Sequence, residues 1–378
     1  MRLVLIFFLI TAALAQHSQP SHTTESLRGV SSVTQKIAWA SGTHGTYLRT
    51  TDAGVHWAPA QVPGAEALDF RAVAAFSADE AFLMSAGPGD QSRIYHTTDA
   101  GQHWQLQFKN ENPKGFYDSM IFFDRTHGVA LGDPVPDETG KLKFELITTE
   151  DGQTWNPIPP SQLPPAVEGE GAFAASNTCL AILPSVDTDP KSKSTRDPFK
   201  KPAASKSESS SGSHLRERIV PNHNLWFATG GTVARVFHSS DRGQTWEVFD
   251  TPIVHGADST GIFSIAFRDP LHGVIAGGDY KHPDQDGANL AFTNDGGKTW
   301  TLSPVKPQAF FSAATYDKKN PAILYVIAQD FIYKVQNQTT ATRINLPKAS
   351  DQKLHAASPK QDGGAIAVGA KGAILSLP

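Results

Sequence analysis

Short apolar runs of five to seven residues alternate with polar, glycine-bearing turns along almost the whole chain. One set of runs occupies 27–33, 70–76, 117–123, 171–176 and 261–267. A polar turn and a second run ending in small residues follow, as at 37–42, 128–132, 225–231 and 273–278. A third apolar element comes next, seen in Tyr47-Leu48, Ile94-Tyr95, Leu146-Ile147, Val236-Phe237 and Ala291-Phe292. Runs this short, bounded by turn residues, predict β-strands. Small residues suit the inner strands of a closed ring, where backbones converge on an axis.

Each such group ends on one eight-residue stretch, Ser/Thr-x-Asp-x-Gly-x-Thr/His-Trp, found at 50–57, 97–104, 148–155, 239–246 and 293–300. Its acidic position holds Asp52, Asp99, Glu150, Asp241 and Asp295, and its last position Trp57, Trp104, Trp155, Trp246 and Trp300. Five of the seven tryptophans of the chain sit here, so their placement is patterned. The hydroxyl and the short carboxylate can accept backbone N–H groups of their own turn. The glycine relieves a conformation that a Cβ would penalise, and the Trp can plug the space under the turn. Each copy therefore predicts a structural turn between the last two strands of a four-stranded antiparallel unit.

The acidic positions are 47, 51, 91 and 54 residues apart. Repeats of roughly 40–50 residues with several short strands predict β-propeller blades. The long step is one blade carrying an insertion. Residues 185–218, rich in Ser and Lys with almost no large apolar side chain, are expected as a disordered loop between the first and second strands of blade four. Runs at 310–316, 322–328 and 331–335 give a sixth blade, and those at 354–357, 365–369 and 373–377 give three strands of a seventh. The stretch near 20–26 is expected to supply the missing outer strand, closing the ring and removing open sheet edges. The expected architecture is one all-β propeller of seven blades over 25–378, after a flexible segment at 16–24.

With 39% hydrophobic and 19% charged residues the chain is an ordinary globular one, and a net charge of −4 argues against nucleic acid as a partner. Met1-Arg2, the apolar run 3–10 and Ala13-Leu14-Ala15 read as a secretory signal peptide over 1–15, which predicts a periplasmic or secreted protein. No other stretch is long and apolar enough to span a membrane. Cys179 is the single cysteine and reads as a small buried apolar residue.

Propeller chemistry usually sits where loops lead into the innermost strands. The polar residues at such places are Arg28, Arg71, Asp118 beside Tyr117, Glu168, Glu170 and His355. The ends of second strands add Asp133, Arg235, Asp279 and Tyr280. Arginines there would bind a carboxylate, a phosphate or an acidic protein segment. Paired carboxylates could instead perform acid/base work on a glycosidic bond. Neither a cofactor nor a metal is expected. Gly169-x-Gly171-x-x-Ala174 lacks a surrounding βαβ unit, and Asp284-x-Asp286-Gly287 is only a fragment of a calcium loop.

The eight-residue stretch resembles the Asp-box, or BNR, repeat. Sialidase-type propellers carry it, and that distant resemblance implies a six-bladed hydrolase with an arginine triad, a Tyr–Glu nucleophile pair and an Asp acid/base. By residue type Arg28, Arg71, Arg235, Tyr117, Glu170 and Asp118 could mimic that set. The family's Arg-Ile-Pro motif is represented only by the interrupted Arg218-Ile-Val-Pro221. A nearer resemblance is carried by Ser26-Leu-Arg-Gly-Val30, Ala38-Trp-Ala-Ser-Gly42 and the succession from Gly45 to Gly54. These are similar to the photosystem II stability/assembly factor-like propellers. That resemblance implies a seven-bladed, exported, non-catalytic scaffold with an arginine-bearing face for a protein partner. The leading expectation is thus a monomeric scaffold holding a protein or glycan ligand at its channel mouth through Arg28, Arg71, Tyr117, Asp118, Asp133, Glu170, Arg235, Asp279 and His355. The alternative is a glycoside hydrolase built on Asp118, Glu170 and Tyr117.

Overall fold

The computed structural model describes residues 16–183, 223–305, 309–346 and 353–378. The stretch read as a signal peptide, 1–15, and the one read as a disordered loop, 185–218, lie outside them. The strands form seven antiparallel sheets, and the fold is a seven-bladed β-propeller with four strands to a blade. The innermost strands are Leu27–Ser32, Phe70–Ala75, Tyr117–Phe122, Leu180–Ile182, Thr260–Phe267, Phe311–Tyr316 and Leu354–Pro359. Each packs against the next and the last against the first, so the ring is closed.

Every seam between neighbouring blades holds its own apolar cluster. Leu27, Leu48 and Trp57 of blade one meet Ile366, Val368 and Ile374 of blade seven, and Trp39 and Tyr47 meet Phe70 and Leu83 of blade two. Fully burying one such side chain contributes on the order of 1.5–3 kcal/mol. The alternation of apolar positions along each strand is thus used on both faces, because every blade is covered on two sides.

Ring closure falls to His17–Ser18, which pairs antiparallel with Ser376 and Leu375 of blade seven. This strand lies a few residues before the 20–26 stretch expected for it, inside the segment expected to be loose. A side chain ties it to blade one as well. The Trp57 Nε1–H donates to Gln19 Oε1 at 3.0 Å, and Gln19 Nε2 donates to the Ala53 carbonyl at 3.1 Å.

The repeated turns behave as their chemistry predicts. In the first, Gly54 N–H donates to the Thr50 hydroxyl at 2.9 Å, and His56 N–H donates to Asp52 Oδ1 at 2.9 Å. Gly54 has φ +83°, where a Cβ would be strained. The same bonds recur around Asp99, Asp241 and Asp295. The third copy differs from the expected alignment. Its hydroxyl is Thr149 and its carboxylate Asp151, which accepts the Thr154 N–H at 2.7 Å. Glu150 instead points outward, 3.3 Å from His127 Nε2. This turn is one residue shorter before its glycine, so the hydroxyl and carboxylate that reach the loop each sit one place later.

Blade four departs from the pattern. Its first run, expected as a strand over 171–176, pairs only at Glu170–Gly171 and again at Leu180–Ile182. Residues 172–179 leave the sheet. The second strand closes the gap by pairing Gly230 directly with Gly261 of blade five. A Cβ on Gly230 would lie 2.8 Å from Gly261 Cα, so this approach requires glycine.

Candidate functional site

Six innermost strands share a defect near their start, at the second residue in five of them and at the fourth, Phe263, in Thr260–Phe267. The register with the neighbouring strand slips between Leu27 and Gly29, Phe70 and Ala72, Tyr117 and Ser119, Ile262 and Ser264, Phe311 and Ala313, and Leu354 and Ala356. The residue skipped in each case is Arg28, Arg71, Asp118, Phe263, Ser312 or His355. A β-bulge re-aims the side chain it carries. Five of these six residues, all but Asp118, line one cavity of about 380 Å³.

The segment 172–179 crosses beneath that cavity and is held from several blades. Arg71 Nη1 donates to the Ala174 carbonyl at 3.0 Å. Asn177 Oδ1 accepts from Met120 N–H at 2.7 Å and from the Ser119 hydroxyl at 3.0 Å, with Asn177 at φ +62°. The Ser176 hydroxyl donates to the Ser312 carbonyl at 2.6 Å, and Thr178 donates to the Ser264 hydroxyl at 2.8 Å. The Phe173 ring stacks on Phe263 with centroids 3.8 Å apart. The segment therefore ties blades two, three, five and six together and forms part of the cavity wall.

One side of the cavity is cationic. Arg71 Nε donates to Asp69 Oδ2 at 2.8 Å. Arg28 makes no ion pair or hydrogen bond among the described residues, and its Nε is buried without a partner. Burial, then the neighbouring Arg71 charge, lowers the Arg28 pKa below the usual guanidinium range. His355 is pushed down to about 3, chiefly by burial and then by Arg28 and Arg71, so it is neutral at physiological pH. Its Nε2 lies 3.3 Å from the Ser26 hydroxyl. The other side is aromatic. Phe263 meets Phe310 edge to face at 4.7 Å and Tyr280 at 6.1 Å, and Tyr280 is 43% exposed at the rim.

The carboxylates expected at the mouth are elsewhere. Glu170 is gripped by Arg235, with Nε–Oε1 at 3.0 Å and Nη2–Oε2 at 2.5 Å, and also accepts from the Thr229 hydroxyl at 2.7 Å. Both charges are thereby spent on each other. Asp118 is buried, with Oδ2 unpartnered. Burial and then the Asp133 charge drive its carboxyl well above the usual range, against the pull of Arg71 and the Ala174 amide. Asp133 accepts the Ala172 N–H at 2.9 Å, and burial raises it to about 6. Asp279 is bound within its own loop by Lys281 N–H at 2.9 Å and His282 Nδ1 at 2.7 Å. Tyr117 is packed among Phe108, Met120 and Trp155 in the seam between blades two and three. Asp118, Glu170 and Tyr117 thus stand in three separate surroundings, and no carboxylate lines the cavity.

Arg28, Arg71 and His355 are where the sequence puts them. Phe263, Ser312, Phe173 and Phe310 were not singled out. A signal for two of them is present in the chain. Leu27-Arg-Gly29, Phe70-Arg-Ala72, Tyr117-Asp-Ser119, Ile262-Phe-Ser264, Phe311-Ser-Ala313 and Leu354-His-Ala356 all read large apolar, variable, small. In five of the six, all but Asp118, the variable position lines the cavity.

No protein-family model matches the chain. A photosystem II assembly protein, Ycf48, of Synechococcus sp. (strain JA-2-3B'a(2-13)) is 22% identical over 287 residues, covering 65% of this chain and 80% of that protein. A structure of YCF48 bound to a D1 peptide superposes with a TM-score of 0.60 at 15% identity, covering 96% of this chain and 95% of that one. YCF48 from Cyanidioschyzon merolae gives 0.57 at 15% identity, covering 96% and 98%. The WD40 β-propeller domain of Doa1 gives 0.56 at 10% identity, covering 96% and 97%. The curated relative bears out the resemblance to the photosystem II assembly factor-like propellers, and the solved structures share the fold.

Proposed function

We propose that the protein is an exported, non-catalytic scaffold that holds a protein segment at the channel mouth through an anionic group on that segment. The observation that carries this reading is Arg28, a half-buried guanidinium that lines the cavity with no ion pair or hydrogen bond among the described residues, while the nearby Asp69 is engaged by Arg71. An anion placed there would gain a charge-assisted hydrogen bond and relieve a desolvated charge in one step. The likeness to a protein whose structure holds a bound peptide supports a peptide as the ligand. The hydrophobic lead at 1–15 supports export. The reading is tested by titrating the protein with acidic and charge-neutralised versions of one peptide. Binding of the acidic version alone, lost in Arg28→Gln, is the expected result. Equal binding of both versions would overturn it.

A further inference from the structure

We infer that the mouth cavity takes a two-part element, a carboxylate beside an aromatic side chain, so that the segment it holds carries an acidic and an aromatic residue next to each other. The inference rests on the reading that a protein segment is held at this mouth, and it adds what that segment must look like.

The cavity is divided by chemistry. Blades one, two and seven contribute Arg28, Arg71 and a neutral His355. Segment 172–179 and blades five and six contribute Phe173, Phe263, Phe310 and Tyr280. Two of the bulge positions thus carry guanidinium and one carries an aromatic ring. A purely ionic site needs no such ring, and a purely apolar one would not keep an unpaired guanidinium at its wall.

The aromatic wall borders the cavity and can meet a further ring at its exposed rim. Phe263 is stacked by Phe173 on one side and met edge-on by Phe310, while Tyr280 stands partly exposed at the rim. A ring inserted among these would find the offset and edge-to-face contacts that aromatic pairs prefer, worth about 0.5–1.5 kcal/mol beyond burial. Size sets the limit on what enters. A cavity of about 380 Å³ is near the lower end of ligand sites, which span roughly 300–1,000 Å³. One or two side chains fit, and a folded domain does not. No carboxylate lines the wall, so the anion must come from the ligand.

The test uses three capped tetrapeptides, Ac-Ala-Asp-Phe-Ala-NH2, Ac-Ala-Asp-Ala-Ala-NH2 and Ac-Ala-Asn-Phe-Ala-NH2, titrated into the protein by calorimetry. The Asp-Phe peptide is expected to bind about tenfold or more tighter than either of the others, the sum of one charge-assisted bond and one buried ring. Arg28→Gln should reduce it to the level of the Asn-Phe peptide. Tyr280→Ala and Phe310→Leu should reduce it to the level of the Asp-Ala peptide, with the thermal unfolding curve of Tyr280→Ala unchanged because that ring lies at the rim. Equal binding of Asp-Phe and Asp-Ala peptides overturns the two-part inference and leaves the anion reading standing. Equal binding of Asp-Phe and Asn-Phe peptides, or binding of none, overturns both.

Discussion

Arg235 grips Glu170 through two nitrogens, Nε to Oε1 at 3.0 Å and Nη2 to Oε2 at 2.5 Å. The Glu170 side chain is fully buried, and the Thr229 hydroxyl and the Val167 N–H donate to it as well, at 2.7 and 2.9 Å. The pair holds the Glu170–Gly171 strand to the end of blade four just before the chain departs across the channel. Arg235→Ala leaves a buried carboxylate without its counter-charge, which typically costs about 3–5 kcal/mol. Urea unfolding should show that loss, while peptide affinity at the mouth stays within about twofold, since Arg235 does not line the cavity. Lost binding with intact stability would put Arg235 back in the binding set.

Arg28 should behave in the opposite way. Arg28→Gln removes a desolvated cation that has no partner. Stability is expected to hold or rise, because a half-buried charge with no hydrogen bond or ion pair is a burden that the Asp69 charge offsets only in part. Affinity for an acidic peptide should fall about tenfold or more, the worth of one charge-assisted hydrogen bond. Calorimetric titration and thermal unfolding of the same variant separate the two effects.

The contrast between these arginines shows where sequence reading stops. The strands, the turns and the blade number follow from local rules, because each blade repeats the same apolar runs and the same punctuation. Arg28, Arg71 and His355 were legible because each follows the first apolar residue of an innermost strand. Arg235 and Glu170 have the same residue types at the same end of the fold, and only the tertiary structure shows that they neutralise each other. Residues 171–176 read as a strand by composition, yet 172–179 leave the sheet. Their path across the channel depends on the close pairing of Gly230 with Gly261 and on side-chain bonds from distant blades, none of which leaves a local pattern. The shift from Glu150 to Asp151 has a smaller cause, one residue fewer before the glycine.

Asn177 is the pin of the crossing segment. Asn177→Gly keeps the left-handed backbone at ease but removes the acceptor for the Met120 N–H and the Ser119 hydroxyl. A buried donor left unsatisfied costs about 1–3 kcal/mol. The expected outcome is that loss in unfolding free energy, with faster amide exchange at Met120. Unchanged exchange there would mean that the segment is held by its other contacts alone.

The repeated turns should set the acid limit of the fold. Backbone and side-chain donors around Asp52 and Asp99 hold both carboxyls down to about 2, led by the His56 and His103 N–H groups, and the Thr154 N–H does the same for Asp151. A carboxyl depressed in the folded state contributes stability that is present above its unfolded value, about 3.8, and lost as pH falls through about 2. Unfolding followed by circular dichroism should therefore steepen between about pH 4 and 2. The Asp52→Asn, Asp99→Asn, Asp151→Asn triple variant should lose that steepening, and an unaltered acid profile would show that the turns do not govern it.

Asp133 carries the opposite sign. It lies against segment 172–179, accepts the Ala172 N–H at 2.9 Å, and is raised from 3.8 to about 6, mostly by burial and with a contribution from Glu145. A carboxyl raised in the folded state contributes stability that is complete below about 3.8 and lost as pH rises through about 6. At neutral pH its ionised form is therefore a strain on the crossing segment. Asp133→Asn retains an oxygen for the Ala172 N–H and removes the charge. The variant should be more stable than the parent at pH 7 by about 1–2 kcal/mol, since raising a carboxyl from 3.8 to about 6 is worth roughly 3 kcal/mol before partial exposure reduces it. The difference should vanish as pH falls toward about 4, where the parent carboxyl is protonated as well. Urea unfolding at the two pH values measures it directly. A gap that stays constant with pH would mean that the substitution acts through packing, and that Asp133 is ionised without penalty beneath the mouth.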